Sequence, residues 1–532
     1  MFDYVIVGGG SAGCVLARRL SEIPDVTVCL LEAGPPDRHP LIHMPMGILW
    51  LMRSRVLNWN LYTQAEAELG GRRLFWPRGR TLGGSSSSNA MCYLRGHPAD
   101  YDAWAALGND AWSYADVLPY FRRSEHQERG ASAYHGTDGP LNVADLRSPS
   151  RLTPVFIAAG QQAGLPYNID FNGESPEGVG PFQVTQKDGR RCSTARAYLQ
   201  PARGKPNLTV ITGAQVSGLQ LEHRQARGVE YRRNGRREVA SARCEVILAA
   251  GAIESPKLLM LSGVGDGAHL QSLGIETRHH LPGVGQNLQD HLDVILVQAC
   301  TQAISYGITW RTVLRGGFEL MRYQFAGRGM FTTNGAEACA VARSAPEEVL
   351  PDLQFHFTPG KLRNHGRDLG FLCGEGYSLH VCNLRPKSRG EIRLATPDPF
   401  AKAEIRANYL SHPEDIEHLL RGVKLGRRIL GAAAFDTCRG AEIVPGDTVQ
   451  SDEALRQFIR DKAESIYHPV GTCKMGNDPL AVVDDRLRVH GLRGLRVVDA
   501  SIMPLLVGGN TNAPTVMIAE KAADMIKAEY AH

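Results

Sequence analysis

The stretch SIYHPVGTCKMG, residues 465–476, contains side chains suited to two different chemistries. His468, Cys473 and Met475 are the ligand types that soft metals such as copper take. His468 could equally move protons, because an imidazole titrates near neutral pH. The stretch therefore supports two hypotheses, a copper site and a general base. The choice between them depends on what the rest of the chain binds.

The N-terminal segment YVIVGGGSAGCVLARRL predicts a dinucleotide site, because a short β-branched run leads into Gly-x-Gly-x-x-Gly and then into an apolar helical pattern. Gly8 allows the tight turn, Gly10 lets a pyrophosphate approach the backbone, and Gly13 lets helix and strand pack closely. Glu32 ends the next predicted strand, where it can accept from a ribose 2′-OH. An acid there disfavours NADP, and the residues alone leave FAD and NAD open.

Length and composition limit the class of protein. A chain of 532 residues is too long for one core, so two or three domains are expected. The net charge of +4 comes without a basic face, which argues against nucleic-acid binding. Eleven cysteines without a Cys-x-x-Cys do not resemble a secreted disulfide framework. We expect a cytoplasmic protein, since we find no signal peptide and no apolar run of about 18 residues.

One short apolar segment stands out, LIHMPMGILWLM at residues 41–52. It is too short to cross a bilayer and contains Pro45. A buried loop is one interpretation. A lid or a surface-docking loop is the other, and it leaves room for loose peripheral attachment to the inner face of the membrane.

Further motifs lie along the whole chain. GRTLGGSSSSNAM (79–91) is a Gly/Ser-rich loop with the basic Arg80 at its start, and GAIESPKLLMLSGVG (251–265) follows a strand of buried type. YHPVGTCKMG, VVDASIMP and GGNTNAPTVMIAEKAADMI occupy the C-terminal region. With residues 8–13, these motifs resemble the glucose–methanol–choline (GMC) family of flavin oxidoreductases. LFWPRGRTLGG and LPGVGQNLQDH are similar to its bacterial alcohol-dehydrogenase branch, which includes choline, polyethylene-glycol and L-sorbose dehydrogenases.

The resemblance implies FAD as cofactor and an α/β fold, α+β overall. A Rossmann-like FAD-binding domain would interleave with a substrate-binding domain built on an antiparallel sheet with helices. The expected FAD-binding segments are 1–35, 75–110, 190–290 and 461–532. The expected substrate-binding segments are 36–74, 111–189 and 291–460.

The resemblance also implies the catalytic pair, with His468 as base and Asn512 holding the substrate oxygen. The proton of a primary alcohol would pass to His468, and its hydride to the flavin N5. The expected partners are a small-molecule alcohol, of aliphatic, polyether or sugar type, and a quinone or other electron acceptor. An oxidase that uses O₂ and a non-redox lyase of the same fold remain alternatives. A metal is then unnecessary, so Cys473 and Met475 are expected to be packing groups.

Other residues take roles from the same resemblance. Ser88 stands where some members attach the flavin through a His, so the FAD should be bound non-covalently. Glu337 is predicted to face the substrate, with a structural ion pair as the alternative, and His291 and His490 are expected to be structural. The residues expected to contact FAD are Gly8, Gly10, Ser11, Ala12, Gly13, Glu32, Ala33, Arg80, Thr81, Gly84, Asn89, Ala90, Met91, Val216, Ala250, Gly251, Tyr467, Asp499, Ala500 and Asn512.

Overall fold

Helices are distributed along the whole chain, whose residues 1–530 are described by a computed structural model. The α-helices are α1 (Ser11–Leu20), α2 (Pro40–His43), α3 (Ile48–Leu51), α4 (Pro98–Ala106), α5 (Tyr114–Ser124), α6 (Leu152–Gln162), α7 (Gln200–Ala202), α8 (Gly251–Leu261), α9 (Gly267–Ser272), α10 (Trp310–Ala326), α11 (Pro413–Leu430), α12 (Asp452–Lys462) and α13 (Asn512–Tyr530).

The strands alternate with these helices and form two large sheets and several small ones. They are β1 (Phe2–Val7), β2 (Val28–Glu32), β3 (Leu61–Tyr62), β4 (Phe75–Trp76), β5 (Glu125–Gln127), β6 (Leu141–Asp145), β7 (Gly178–Pro181), β8 (Gln183–Val184), β9 (Gln186–Lys187), β10 (Arg190–Arg191), β11 (Leu208–Thr212), β12 (Gln215–Glu222), β13 (Gln225–Arg233), β14 (Arg236–Leu248), β15 (Val264–Gly265), β16 (His279–His280), β17 (Leu292–Cys300), β18 (Ala338–Ala342), β19 (Leu353–Thr358), β20 (Gly376–Asn383), β21 (Glu391–Arg393), β22 (Glu404–Arg406), β23 (Arg439–Val444), β24 (Glu464–Ser465) and β25 (Leu495–Val497).

The first large sheet has a parallel part in the order β11–β2–β1–β14, with β25 also paired to β14. β1 is almost wholly buried, as expected for a near-continuous apolar strand covered on both faces. β14 also pairs antiparallel with β13 through a turn at Asn234 and Gly235, both of positive φ. Since β1, β2, β11 and β14 run in the same direction, their carboxyl ends meet at one edge, where open α/β sheets bind ligands.

The second large sheet is antiparallel, in the order β23–β17–β20–β19–β18–β7. Alternation along β19 separates its two faces. Leu353, Phe355 and Phe357 join the main hydrophobic core, on the side that α6 and α11 cover. Gln354 and His356 point the other way, towards the cavity described below. The predicted fold class is confirmed, while the exact domain boundaries stay a prediction.

The two ends of the chain meet in space. α1 packs against α13, and the Arg19 guanidinium lies 2.8 Å from the fully buried carboxylate of Glu520. The Ser11 hydroxyl donates to the Asn512 side-chain carbonyl at 2.9 Å. Within residues 1–530, no helix has the length and apolar content that crossing a membrane requires.

Candidate active site

A cavity of about 370 Å³ runs between the edge of the parallel sheet and the inner face of the antiparallel sheet. Its wall includes the turn after β1 at one end and His468 at the other. Most of the residues expected to bind FAD lie on this wall: Gly8, Gly10, Ser11, Ala12, Glu32, Ala33, Gly84, Asn89, Ala90, Met91, Val216, Ala250, Gly251, Tyr467, Asp499, Ala500 and Asn512.

Three of the expected contacts lie behind the wall. Gly13 packs under the turn, because a Cβ there would lie 1.9 Å from the carbonyl oxygen of Gly8. The Arg80 guanidinium stacks on Trp59, with 4.9 Å between its central carbon and the ring centroid. The Thr81 hydroxyl donates to the backbone carbonyl of Pro35 at 2.9 Å. These residues therefore hold the wall in place rather than lining it.

The turn after β1 fits a pyrophosphate. Gly8 has a φ of +103°, which disfavours a side chain, whereas a Cβ at Gly10 would meet nothing closer than 3.9 Å. A Cβ at Gly84 would lie 2.7 Å from the Cα of Gly10, so the Gly/Ser-rich loop also approaches as bare backbone. Backbone N–H groups at the start of α1 are thus accessible to an anion.

Glu32 is fixed at the end of β2. One carboxylate oxygen accepts from the backbone N–H of Gly9 at 2.9 Å, and the other from that of Gly34 at 2.7 Å. Burial raises the pKa of Glu32 to about 7, and the two backbone N–H groups act in the opposite direction. Each oxygen keeps a lone pair that can accept from a ribose hydroxyl.

His468 lies in a tightly held loop between β24 and the core. Its backbone N–H donates to a carboxylate oxygen of Asp290 at 2.6 Å, and the Ser465 hydroxyl donates to the other oxygen. The preceding Tyr467 has a φ of +72°, and its carbonyl accepts from Arg78 at 2.6 Å. This anchoring fixes the His468 ring at the cavity wall, where the residue is only 8% exposed.

A directed chain of hydrogen bonds sets the protonation of His468. The carbonyl of Leu384 can only accept, so His291 carries its proton on Nε2, 3.1 Å away. Neutral His291 then accepts at Nδ1 from His468 Nδ1–H, at 2.9 Å. His468 Nε2 is left with its lone pair and faces the Asn510 amide nitrogen at 3.2 Å. The Asn510 oxygen accepts in turn from the Gln354 amide at 3.3 Å.

Burial keeps both imidazoles neutral, as this chain requires. Loss of hydration lowers the pKa of His291 to about 3. The pKa of His468 also falls well below its ordinary value, first through burial and then through the neighbouring His291 and His356. His468 is therefore held as a neutral base whose Nε2 lone pair accepts from the Asn510 amide at the cavity wall.

The structure brings Asn510, and not Asn512, to His468. Asn512 begins α13 and binds Ser11 instead, as described above. The two asparagines lie only two positions apart in GGNTNAPT. The motif contains both asparagines. Because α13 begins at Asn512, Asn510 lies outside the helix and contacts the imidazole. His291, expected to be structural, and Gln354, which no motif contains, also belong to the chain of hydrogen bonds.

Glu337 is not brought to the cavity. It is fully buried, and its carboxylate accepts from the Ser150 backbone N–H at 2.7 Å and from the hydroxyls of Thr153, Thr333 and Tyr306 at 2.6, 2.7 and 2.9 Å. These four donors fill both oxygens, so Glu337 ties neighbouring segments together. Glu337 therefore makes neither the substrate contact nor the ion pair that the sequence suggested.

Cys473 and Met475 pack into the main core with 0% and 1% exposure, as predicted. Their backbone N–H groups donate to the carbonyls of Ser501 and Ile502, at 2.9 and 2.8 Å. The part of the chain that the structure describes has two other clusters with metal-ligand atoms close together, and neither includes the residues of the opening motif. One of them, Asp293 with His365 and His380, is joined by hydrogen bonds between the carboxylate and both rings.

Comparison with known proteins decides the family. Residues 2–293 and 386–519 match the N-terminal and C-terminal models of GMC oxidoreductase. The chain belongs to the GMC oxidoreductase family. GMC oxidoreductases depend on FAD, so FAD is the cofactor that the glycine cradle and Glu32 are built to hold.

Relatives within the GMC family extend over nearly the whole chain. An alcohol dehydrogenase [acceptor] of Pseudomonas putida is 51% identical over 99% of this chain and 96% of its own length. An oxygen-dependent choline dehydrogenase of Sinorhizobium fredii is 46% identical over 98% and 95%. The solved structure of pyridoxine 4-oxidase from "Mesorbium loti" superposes with a TM-score of 0.90, at 34% identity and full coverage of both chains.

Proposed function

We propose that this enzyme oxidises a primary alcohol to an aldehyde and passes the electrons to a quinone or another acceptor. The observation that carries the proposal is the lone pair of His468 Nε2, held towards the FAD cavity beside a side-chain amide. An alcohol must lose a hydroxyl proton and a carbon-bound hydride. FAD, when bound, accepts the hydride. The chain's own residues must bind the alcohol and take the proton.

His468 and Asn510 divide that task. When the substrate binds, its hydroxyl replaces the Asn510 amide as the donor to His468 Nε2, which takes the proton as a general base. Asn510 Nδ2–H, which faces the same point, donates to the substrate oxygen and stabilises its developing negative charge. The resulting imidazolium keeps its Nδ1–H on His291, so the ring does not have to rotate. The negative oxygen beside it favours the charged ring in this dry surrounding.

The neighbouring wall supports an alcohol with an apolar chain. Ile48, Leu49 and Leu51 of α3 line the cavity, together with Leu362. α3 is held against the segment that carries His365, because Arg53 donates to the carbonyls of both Leu49 and Gly366. His365 contacts Tyr467, so this apolar wall adjoins the catalytic loop. An aliphatic or polyether alcohol fits such a wall better than a sugar.

A second candidate is an oxidase that uses O₂, and it differs only in the acceptor. It is favoured by relatives of known structure named as oxidases, such as pyridoxine 4-oxidase. The relative named alcohol dehydrogenase [acceptor] supports the dehydrogenase.

The test is to mix the FAD-loaded enzyme anaerobically with a panel of primary alcohols. The proposal expects the yellow flavin absorbance to bleach with aliphatic alcohols. It also expects turnover with a dye or quinone acceptor to exceed turnover with O₂. Equal rates with O₂ would assign the oxidase. Persistent yellow colour across the panel would contradict alcohol oxidation altogether.

A further inference from the structure

α10 carries its apolar side chains on the outside of the molecule. The exposed fractions of Trp310, Leu314, Phe318, Met321 and Phe325 are 70%, 74%, 63%, 57% and 88%. These residues recur three or four positions apart, so they form one stripe along the helix. A surface helix ordinarily turns such a stripe towards the core. α10 presents it to the surroundings instead.

The opposite side of α10 fastens it to the protein, so its orientation is fixed. Tyr323 is buried, and its hydroxyl donates to the carbonyl of His43 at 3.4 Å. The carboxylate of Glu319 accepts from the backbone N–H of Met330 at 3.0 Å. Thr309 caps the first turn by accepting from the backbone N–H of Thr312. The outward stripe therefore follows from definite contacts on the inward face.

A row of arginines flanks the stripe. Arg311, Arg315 and Arg322 are all exposed, and their spacing places them together on one side of the helix. The only acid in α10 is Glu319, whose carboxylate lies 3.6 Å from the Arg322 guanidinium and also binds Met330. The outer surface of α10 thus combines aromatic and aliphatic side chains with an excess of positive charge.

α10 is connected to the substrate end of the cavity through its inward face. The His43 carbonyl that Tyr323 contacts ends α2, and α3 follows a few residues later. α3 lines the cavity with Ile48, Leu49 and Leu51, while its Trp50 is 49% exposed. The inward face of α10 is thus anchored to the segment that continues into the helix lining the cavity.

We propose that α10 docks onto an anionic phospholipid membrane, with its apolar stripe in the acyl boundary and its arginines at the headgroup phosphates. Amphipathic helices with Trp, Phe and Leu on one side and arginines on the other bind at this depth. Arg311 and Arg315 are the charges that favour a lipid over a second copy of the chain. A second copy would cover the stripe, but no free acid on α10 could pair with those arginines.

Docking would place the cavity wall at the membrane, where apolar alcohols and lipid-soluble acceptors dissolve. This consequence rests on the proposed function, whereas the docking itself does not. The two can fail separately, because a water-soluble alcohol with a dye acceptor measures the chemistry without any membrane.

The test is flotation of the FAD-loaded enzyme with vesicles of phosphatidylglycerol and phosphatidylethanolamine, compared with phosphatidylcholine alone. The wild type should float with the anionic vesicles and lose binding as salt rises. The triple variant Leu314→Glu/Phe318→Glu/Phe325→Glu should not float. Arg311→Gln/Arg315→Gln/Arg322→Gln should bind about 10²-fold more weakly, since each arginine near the surface contributes about a factor of five.

Val349→Glu is the matched control, because Val349 is 90% exposed and lies outside α10. It should float like the wild type, and all variants should keep their dye-linked turnover of a soluble alcohol. The proposal is overturned if the wild type does not float, or if the triple glutamate variant floats equally well. If the wild type did not bind vesicles, and light scattering showed a dimer that dissociates in the triple glutamate variant, the stripe would be a contact surface for a second copy of the chain.

Discussion

The two ends of the cavity are formed differently, by backbone at the FAD end and by side chains at the end that contains His468. At the FAD end, two glycine-rich segments form the wall mainly with backbone atoms, and the Glu32 carboxylate is held by the N–H groups of Gly9 and Gly34. At the other end, four side chains from separate parts of the chain fix one lone pair, from Gln354 through Asn510 and His468 to His291. The first end depends on local conformation, and the second on side chains that meet only after folding.

The largest expected effect lies at the side-chain end. His468→Ala removes the base, so kcat should fall by about 10²–10⁴. FAD should stay bound, because the cradle at the other end is untouched. Rapid kinetics with an alcohol and a dye, together with the flavin absorbance of the purified variant, check both statements.

Met475→Leu serves as the control for this variant, since it conserves volume in the core and should keep most of the activity. Chelators should leave the wild-type rate unchanged. Wild-type turnover in His468→Ala, or activity that tracked copper content, would revive the metal hypothesis for residues 465–476.

The two asparagines of GGNTNAPT provide a matched pair. Asn510→Ala removes the donor to the substrate oxygen and should lower kcat by about 10²–10³. Asn512→Ala removes the partner of the Ser11 hydroxyl, so its main effect should be weaker retention of FAD. Titration of the apoprotein with FAD, alongside kcat, distinguishes the two. The reverse pattern would restore the assignment of Asn512 that the family resemblance suggests.

At the backbone end, Glu32→Ala should weaken FAD binding by about 1–3 kcal/mol, the usual cost of losing a charged hydrogen-bond partner. With FAD in excess, kcat should be near that of the wild type, because His468 and Asn510 keep their positions. A flavin titration followed by fluorescence measures the affinity. An unchanged affinity in Glu32→Ala would show that Glu32 does not contact FAD.

Acid precipitation of the wild type should release all its FAD, because the Ser88 side chain cannot attach the flavin covalently.

Gln354 tests whether the chain of hydrogen bonds is directional. Gln354→Glu replaces a donor with an ionised acceptor, which should reverse the Asn510 amide and lower kcat by about 10–100-fold through misplacement of its donor. The loss should diminish as pH falls, because the introduced carboxyl then becomes protonated and can donate again. A purely structural role would give no such pH dependence. Turnover measured across pH, for this variant and for Gln354→Leu, provides the comparison.

The last prediction concerns acid stability and not turnover. His291 has a pKa of about 3 in the folded protein and about 6.5 when unfolded, so the unfolded state binds more protons between these values. The contribution of His291 to the free energy of unfolding should therefore be fully present above pH 6.5. It should decrease as pH falls towards 3, by up to about 1.4 kcal/mol per pH unit for each such histidine. His468 acts in the same direction.

Urea unfolding at neutral and mildly acidic pH checks this decline. His291→Gln should flatten it, whereas His223→Asn, at an exposed turn, should not. The same shift bears on catalysis. An imidazole base ordinarily titrates near neutrality, but burial lowers the pKa of His468 and should move the acidic limb of activity below that range. A decline equally steep in His291→Gln would assign the acid sensitivity to other groups.

The sequence predicts the backbone end well, because contiguous motifs encode it. The Gly8–Gly13 turn and the strand ending in Glu32 appear in the structure as expected, and most of the predicted FAD contacts line the cavity. The side-chain end was only partly predictable. His468 is contained in its motif, but which asparagine contacts it depends on where α13 begins. Gln354 lies beside Asn510 because side chains alternate along β19.

The contact between α1 and α13 has a consequence for how the enzyme is made. The N-terminal cradle is synthesised first, yet Ser11 and Arg19 find their partners Asn512 and Glu520 only in α13. A nascent chain therefore carries an incomplete nucleotide pocket until α13 has been made. Products truncated before α13 should emerge without cofactor, so loading with FAD reports that α13 has packed against α1.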